Sequence, residues 1–369
     1  MAGFPILASR RLRSTPYTER VEAAGLTGYT IYNHMFLPTS FGSLEGDYKH
    51  LKEDVQIWDV SVERQVELRG PDAHKLAIMM SARDLTNAEP GRCYYAPICD
   101  GNGGMLNDPI ALCLAPDRFW FSIADSDLVL WAAGLAEGMG LDVKVFEPDV
   151  SPLAIQGPKA EDLMAKIFGE EIRSVRFFRF GMFTWRDHEL LIARSGWSKQ
   201  GGFEIYMHDS KLGTQLWDDI WNAGGEFNLK PGCPNLIERI ESGLLSYGND
   251  MTREDTPLNC GLDRYISLDT HDFIGKSALQ AQQEAGISRK LMGVRISGDK
   301  IAPLGKPVDC LSGDTVIGML TSAVYSPDFD CNLGFAMVSS DYFAEGTNIQ
   351  VALPDGVRHA TICNLPFTQ

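Results

Sequence analysis

At 369 residues the chain is too long for a single hydrophobic core, so two or three domains are expected. Apolar residues make up 44% and charged residues 22%, which excludes a disordered chain. A net charge of −16, with no basic block beyond Arg10, Arg11 and Arg13, argues against a nucleic-acid partner, and no run of about 18 apolar residues is present to span a membrane.

The opening MAGFPILASRRLRSTP puts its arginines after the apolar cluster. A signal peptide needs them before it, so a cytoplasmic protein is expected. The eight cysteines contain no CxxC pair and several, such as Cys113 in IALCLA, lie in apolar strand-like context. Reduced, buried thiols are expected. The seven histidines are scattered, without HExxH or His-x-His, so no metal site is expected.

Along the chain, Val66 to Leu68 reads as a short strand closed by Gly70-Pro71-Asp72, and AHKLAIMM continues with helical spacing. Phe119 to Ile123 (FWFSI) reads as a strand, with Asp125 or Ser126 capping the helix that follows. The strand–Gly-Pro–helix device recurs at LAIQG, Pro158 and AEDLMAKIFG, which suggests two similarly built α+β lobes. TQLWDDIWNAGG is an amphipathic helix ending on Gly224 and Gly225. Asn235 to Tyr247 has helical spacing, with Ile237, Ile240, Leu244 and Leu245 on one face and Asn235, Glu238, Arg239 and Ser242 on the other. After KSALQAQQEAG the pattern changes to short strands at turn-rich intervals, an all-β module. The expected division is residues 1–285, two α+β lobes, and 286–369, a β-barrel or jelly-roll-like domain.

Two strand ends carry unusual polar–aromatic content. In GGFEIYMH, alternation puts Glu204, Tyr206 and His208 on one face. If LLIARSGWS is the hairpin partner and the loop is even, Trp197 lies opposite Glu204 or Tyr206, and all three share that face. An indole, a phenol and a carboxylate would then meet: the carboxylate accepts paired N–H bonds from a flat heterocycle, and the rings stack on it or on a cation. A solvated hairpin face with a surface Glu is the plain alternative. The other strand end is GNGGMLNDPIAL, a Gly-rich turn entering an apolar strand at Asp108. It lacks the Gly-Lys-Ser/Thr of a phosphate loop, and a turn-closing Asp is its plain alternative. Arg92-Cys93-Tyr94-Tyr95 looks like its hairpin partner, which would bring Tyr95 to the same cleft.

These segments resemble the glycine-cleavage T-protein (aminomethyltransferase) family along nearly the whole chain. FLPTSFGSLEGDYKHLKEDVQIWDVS and RGPDAHKL are similar to its opening segment and Asp-Val-Ser…Gly-Pro-Asp signature, and LAIQGPKA to its Leu-Gln-Gly-Pro-Lys-Ala stretch. PGRCYYAPICDGNGGMLNDPIAL, ERIESGLLSYGNDM, TPLNCGLD, DFIGKSAL, IGMLTSAVYSP and NLPF follow in order. The resemblance implies an α+β fold of three domains around a central folate site, with tetrahydrofolate as co-substrate. It puts the family's catalytic Asp on Asp108 and its pterin-holding Glu on Glu204. Tyr95, Ser122, Arg239 and Tyr247 join Glu204 as expected folate contacts.

The departures point to a branch. The family's Tyr-Thr-Gly-Glu-Asp-Gly becomes Trp197-Ser198-Lys199-Gln200-Gly201-Gly202, and Ala124 replaces an Asn near the folate. With YNHMFLPT, VERQVELRGPDAHK and CPNLIERIESGLLSYGND, these changes most resemble the dimethylsulfoniopropionate-demethylating branch. That resemblance implies a small-molecule substrate and redox-neutral methyl transfer from a sulfonium to tetrahydrofolate, with no metal. Trp197 and Tyr206 are then the expected sulfonium surface and Lys199 the candidate for the substrate carboxylate. Other activities in the same family are aminomethyl transfer and aryl-ether demethylation. A folate-binding iron–sulfur assembly factor is the non-enzyme alternative, but its Lys-Gly-Cys-Tyr-x-Gly-Gln segment is replaced by LNCGLDRYI. A homodimer stands as an expectation on which these motifs do not bear.

Overall fold

The computed structural model describes residues 9–368, so the apolar opening cluster lies outside the described residues. Two antiparallel-rich sheets and a closed barrel organise the chain. The first sheet has five antiparallel strands in the order Lys144–Phe146, Gln65–Arg69, Arg118–Ser122, Ile110–Ala115 and Arg92–Tyr95. Helices Ala73–Met80 and Leu128–Gly138 share a core with it around Leu68, Leu76, Met80 and Phe121. The second has six strands, ordered Phe180–Trp185, His188–Ala193, Gly202–His208, Val150–Gln156, Gln56–Asp59 and Lys230–Gly232, with only the last pair parallel. Helices Ala160–Phe168 and Gly213–Ala223 share its core around Leu163, Ile205 and Trp217.

The opposite faces of the two sheets pack on each other through Cys93, Leu112 and Trp120 from one and Val150, Leu191 and Tyr206 from the other. The recurring strand–Gly-Pro–helix device has a steric cause. Gly70 and Gly157 both have positive φ (142° and 122°), and a Cβ on Gly157 would come within 2.3 Å of the Asp54 carbonyl oxygen.

The chain then forms helices Leu236–Ser242 and Lys276–Ala285 and enters the barrel at Arg289. Six strands close it, in the order Arg289–Ile296, Cys331–Ser339, Thr315–Ser326, Val308–Ser312, Asn348–Leu353 and Gly356–Cys363. Val308–Ser312 is a strand the sequence pattern did not single out.

Two local expectations are corrected. The helix expected over Asn235–Tyr247 stops at Ser242, because Gly243 adopts φ 70° and turns the chain away. Neither Asp125 nor Ser126 caps the Leu128 helix: Asp125 accepts from the Asn33 N–H at 2.7 Å and the Ser126 hydroxyl donates to the Leu106 carbonyl at 2.9 Å. All eight cysteines are free, and no helix among the described residues is long and apolar enough to cross a membrane.

Candidate active site

A cavity of about 1070 Å³ opens where the two sheets, the Leu236–Ser242 helix and the barrel meet. Asp108 enters it from a short segment fixed on both sides. Asn107 is fully buried, donating to the Ala124 carbonyl at 3.0 Å and accepting from the Ala124 N–H at 3.0 Å, and the Pro109 carbonyl accepts from the Ala96 N–H at 3.0 Å. The expected hairpin pairing holds, with Tyr95 opposite Ile110. It sets the Tyr95 hydroxyl to donate to Asp108 Oδ2 at 2.8 Å. The other oxygen, Oδ1, is buried without a protein partner. Burial pushes the Asp108 carboxyl up to about 7, against the downward pull of the Tyr95 hydroxyl.

Glu204 comes from the middle of its strand, flanked across the sheet by Ala154 and Ala193. Two alanines leave the carboxylate uncovered on that face. The Ser195 hydroxyl donates to Oε2, and the Tyr206 hydroxyl lies 3.4 Å from the same oxygen. Burial raises the Glu204 carboxyl, and these two hydroxyls partly offset it.

The expected hairpin register is corrected here. Ala193, not Trp197, lies opposite Glu204, and the strand ends there. Tyr206 does share the Glu204 face but does not line the cavity. It is 1% exposed, packed between the sheets with its ring centroid 6.0 Å from that of Trp120. The Tyr206 hydroxyl reaches the site through its neighbours Glu204 and Ser122, not by lining the cavity itself.

Trp197 reaches the cavity from the loop that follows. Gly196 has φ 144°, and a Cβ there would meet the Gln156 side chain at 2.1 Å. The Ser198 hydroxyl donates to Gln156 Oε1 at 2.8 Å, while Lys199 N–H and Gln200 Nε2 donate to the two oxygens of Glu238 at 2.9 and 3.0 Å. Glu238, expected on a polar helix face, is 1% exposed and works as an anchor for this loop. The Lys199 side chain is exposed at the cavity wall and forms no ion pair among the described residues.

Ser122, Arg239 and Tyr247 all line the cavity. Ser122 accepts from Gln65 Nε2 at 3.0 Å. Arg239 is committed within the protein, donating to Asp250 at 2.7 Å and to the Ser322 hydroxyl on the barrel at 2.7 Å. The Tyr247 hydroxyl donates to the Met105 carbonyl at 3.0 Å. Eight of the nine expected site residues therefore surround one space, and Tyr206 stands behind it.

Sequence reasoning missed Glu63 and Tyr32, which also line the cavity. Burial, then the negative charges of Glu204 and Asp108, push the Glu63 carboxyl well above its usual range. Burial likewise raises the Tyr32 and Tyr95 phenols, so both stay neutral donors. The volume suits a drug-sized heterocycle with a small second substrate. Buried carboxylates offer acceptors for N–H groups, and the tyrosine and tryptophan faces suit a flat ring or a cation. Among the described residues no cluster of three or more His, Cys, Asp or Glu is arranged to hold a metal ion.

Comparison with known proteins agrees in extent with this architecture. The GCVT N-terminal domain family matches residues 17–270, and the glycine cleavage T-protein C-terminal barrel domain matches residues 289–369. The dimethylsulfoniopropionate demethylase of Ruegeria pomeroyi is 50% identical over 357 residues, covering 97% of this chain and 98% of its own. An aminomethyltransferase of Thermoanaerobacter pseudethanolicus is 28% identical over 343 residues, 90% of this chain and 91% of its own. The crystal structure of the glycine cleavage system aminomethyltransferase T from Bartonella henselae superposes with a TM-score of 0.87 at 22% identity, covering 97% of this chain and 98% of that one.

Proposed function

The chain belongs to the glycine-cleavage T-protein family, and on that premise we propose that it moves a methyl group from the sulfonium of dimethylsulfoniopropionate to N5 of tetrahydrofolate. The products are 3-(methylthio)propionate and 5-methyltetrahydrofolate. The observation that carries this reading is the half-identical demethylase relative, which matches the chain almost end to end. The remodelled loop at Trp197 supports it, because it replaces the family's Tyr-Thr-Gly-Glu-Asp-Gly, removing two acids and placing an indole at the cavity that suits a sulfonium cation.

The chemistry is a direct displacement. The N5 lone pair forms the new N–C bond, the S–C bond breaks with its electrons on sulfur, and N5 gives up its proton. A sulfonium methyl is already activated, so the enzyme's contribution is alignment, worth about 7–11 kcal/mol for well-oriented reactants. Glu204, steadied by Ser195 and Tyr206, accepts N–H bonds from the pterin. Asp108, held through Oδ2 by Tyr95, offers its unpartnered Oδ1 to the folate near N5 and receives the displaced proton. Ser122, Tyr247 and Arg239 frame the folate, Trp197 faces the sulfonium, and Lys199 attracts the substrate carboxylate. Residues 1–285 form the folate-binding region and 286–369 the barrel that closes it. The free thiols suit a reducing cytoplasm.

Purified protein with tetrahydrofolate and dimethylsulfoniopropionate should accumulate 5-methyltetrahydrofolate and 3-(methylthio)propionate in equal amounts. Failure to do so, beside turnover of an aminomethyl-lipoyl donor or a methoxyarene, would replace the demethylase reading with one of the other family activities.

A further inference from the structure

Glu63 lines the cavity beside Val62 and has been given no role so far. It lies on the crossover from the six-stranded sheet to the five-stranded one, between Asp59 and Gln65. Its backbone is fixed at both ends: the N–H donates to the Val60 carbonyl at 2.9 Å, and the carbonyl accepts from Gln65 Nε2 at 2.7 Å. The side chain therefore lines the cavity from an immobile base. Among the described residues no Lys, Arg or His pairs with it, and its polar neighbour is the Ser122 hydroxyl. The charged groups facing it are the carboxylates of Glu204 and Asp108.

Glu63 and Glu204 differ in a way that matters. Glu204 has two hydroxyl neighbours on one oxygen and suits N–H donors of a neutral ring. Glu63 sits among like charges with Val60, Val62 and the Tyr32 ring also on the cavity wall. A partly buried acid without a counter-charge is unfavourable, and such groups gather where a ligand supplies what the protein withholds. The cations lining the same cavity do not fill the need. Arg239 is committed to Asp250, and Lys199, Arg264 and Lys306 are exposed. A sulfonium has no N–H to donate, so it is recognised by unpaired negative charge and aromatic faces.

We infer that Glu63 releases its proton to solvent when the sulfonium of the methyl donor binds, becomes the counter-charge for that centre, and so sets the preference for a cationic donor over a neutral one. This rests on the methyl-donor reading above. It also accounts for product departure: once the methyl leaves, sulfur is a neutral thioether and the attraction is gone.

The test compares dimethylsulfoniopropionate with 4-methylpentanoate, which replaces the sulfonium by a neutral carbon of the same shape. Each is titrated by calorimetry into enzyme saturated with 5-methyltetrahydrofolate, where no turnover occurs. The wild-type protein should bind the sulfonium about ten- to a hundredfold tighter than the isostere. Glu63→Gln should bring that ratio near one, with folate affinity within about threefold of wild type. Glu63→Asp should keep an intermediate ratio, and it carries the test if Glu63→Gln does not fold. An unchanged ratio in a folded variant overturns the inference. Wild-type protein that does not turn over the sulfonium overturns the methyl-donor reading instead, so the two failures are distinct.

Discussion

The cavity has a wall built on the sheets and a wall built on loops, and the two differ in burial and charge. Glu204 and Ser122 sit on strands with 6% and 5% exposure, and Asp108 and Tyr95 are bonded to each other at the edge of the first sheet. The loop wall carries Trp197 and three exposed cations, Lys199, Arg264 and Lys306, with Phe177 71% exposed beside them. Groups held by strand ladders and buried hydrogen bonds are in position before any ligand arrives, which is how a site avoids reorganisation at the moment of reaction. Groups on loops meet solvent first and tolerate change. On the proposed reading the sheet wall serves the folate and the proton transfer, whichever donor arrives, and the loop wall together with Glu63 on the crossover between the sheets decides the donor.

The sharpest way to break this division is Asp108→Asn. If the sheet wall supplies the proton acceptor, kcat should fall by about 10²–10⁴, the usual worth of a positioned base. The pH dependence is specific. With its carboxyl raised to about 7, Asp108 is protonated and unable to accept below that pH. Wild-type kcat/KM should therefore rise steeply up to pH 7, and the variant's profile should lose the step at about pH 7 that belongs to Asp108, keeping only the dependence that the raised Glu63 carboxyl gives to sulfonium binding. Stability runs the opposite way. A carboxyl raised above its ordinary 3.8 holds its proton more tightly in the folded state. Folding stability is therefore lost as pH rises from about 4 through 7. Thermal melts at pH 8 should show Asp108→Asn more stable than wild type by several degrees, the gap closing near pH 4. A variant equally active at pH 8 would remove Asp108 from the chemistry.

Next in size is Glu204→Ala. Losing hydrogen bonds to a charged acceptor is worth about 1.5–3 kcal/mol, roughly ten- to 150-fold in tetrahydrofolate affinity. Because Glu204 belongs to the sheet wall, the loss should be the same with or without sulfonium present. Folate binding followed by fluorescence quenching reads it directly. Unchanged affinity would mean that the strand Gly202–His208 does not carry the pterin.

How much of this was legible follows the same division. Strand alternation put Glu204 and Tyr206 on one face, and hairpin pairing brought Tyr95 to Asp108, because both are period-two facts of local chain geometry. Loop geometry was not legible. Nothing in RSGWS announces that the strand ends at Ala193, since the cause is a remote one: Gln156 presses on Gly196 and Glu238 holds Lys199 and Gln200. Strand alternation and the family resemblance together offer Tyr206 to the substrate; that its face is sealed by the first sheet depends on how two sheets pack. Glu63 stayed hidden for a similar reason. In VERQVEL it reads as an ordinary exposed acid, and only the crossover between sheets turns it inward.

The smallest expected effect is the most discriminating. Trp197 stands on the loop wall, so Trp197→Ala should weaken use of the sulfonium while leaving the folate in place. A cation over an indole is worth about 0.5–2 kcal/mol, which corresponds to a roughly two- to thirtyfold rise in KM for dimethylsulfoniopropionate. Tetrahydrofolate affinity should change less than about twofold, because no strand-borne group is touched. A phenylalanine at this position keeps an aromatic face and should recover part of the loss, whereas a leucine of similar bulk should not. If folate affinity fell as far as sulfonium use, Trp197 would be a wall of the folate site. The line between a sheet wall for the acceptor and a loop wall for the donor would then have to be redrawn through Lys199 and the barrel loop at Lys306.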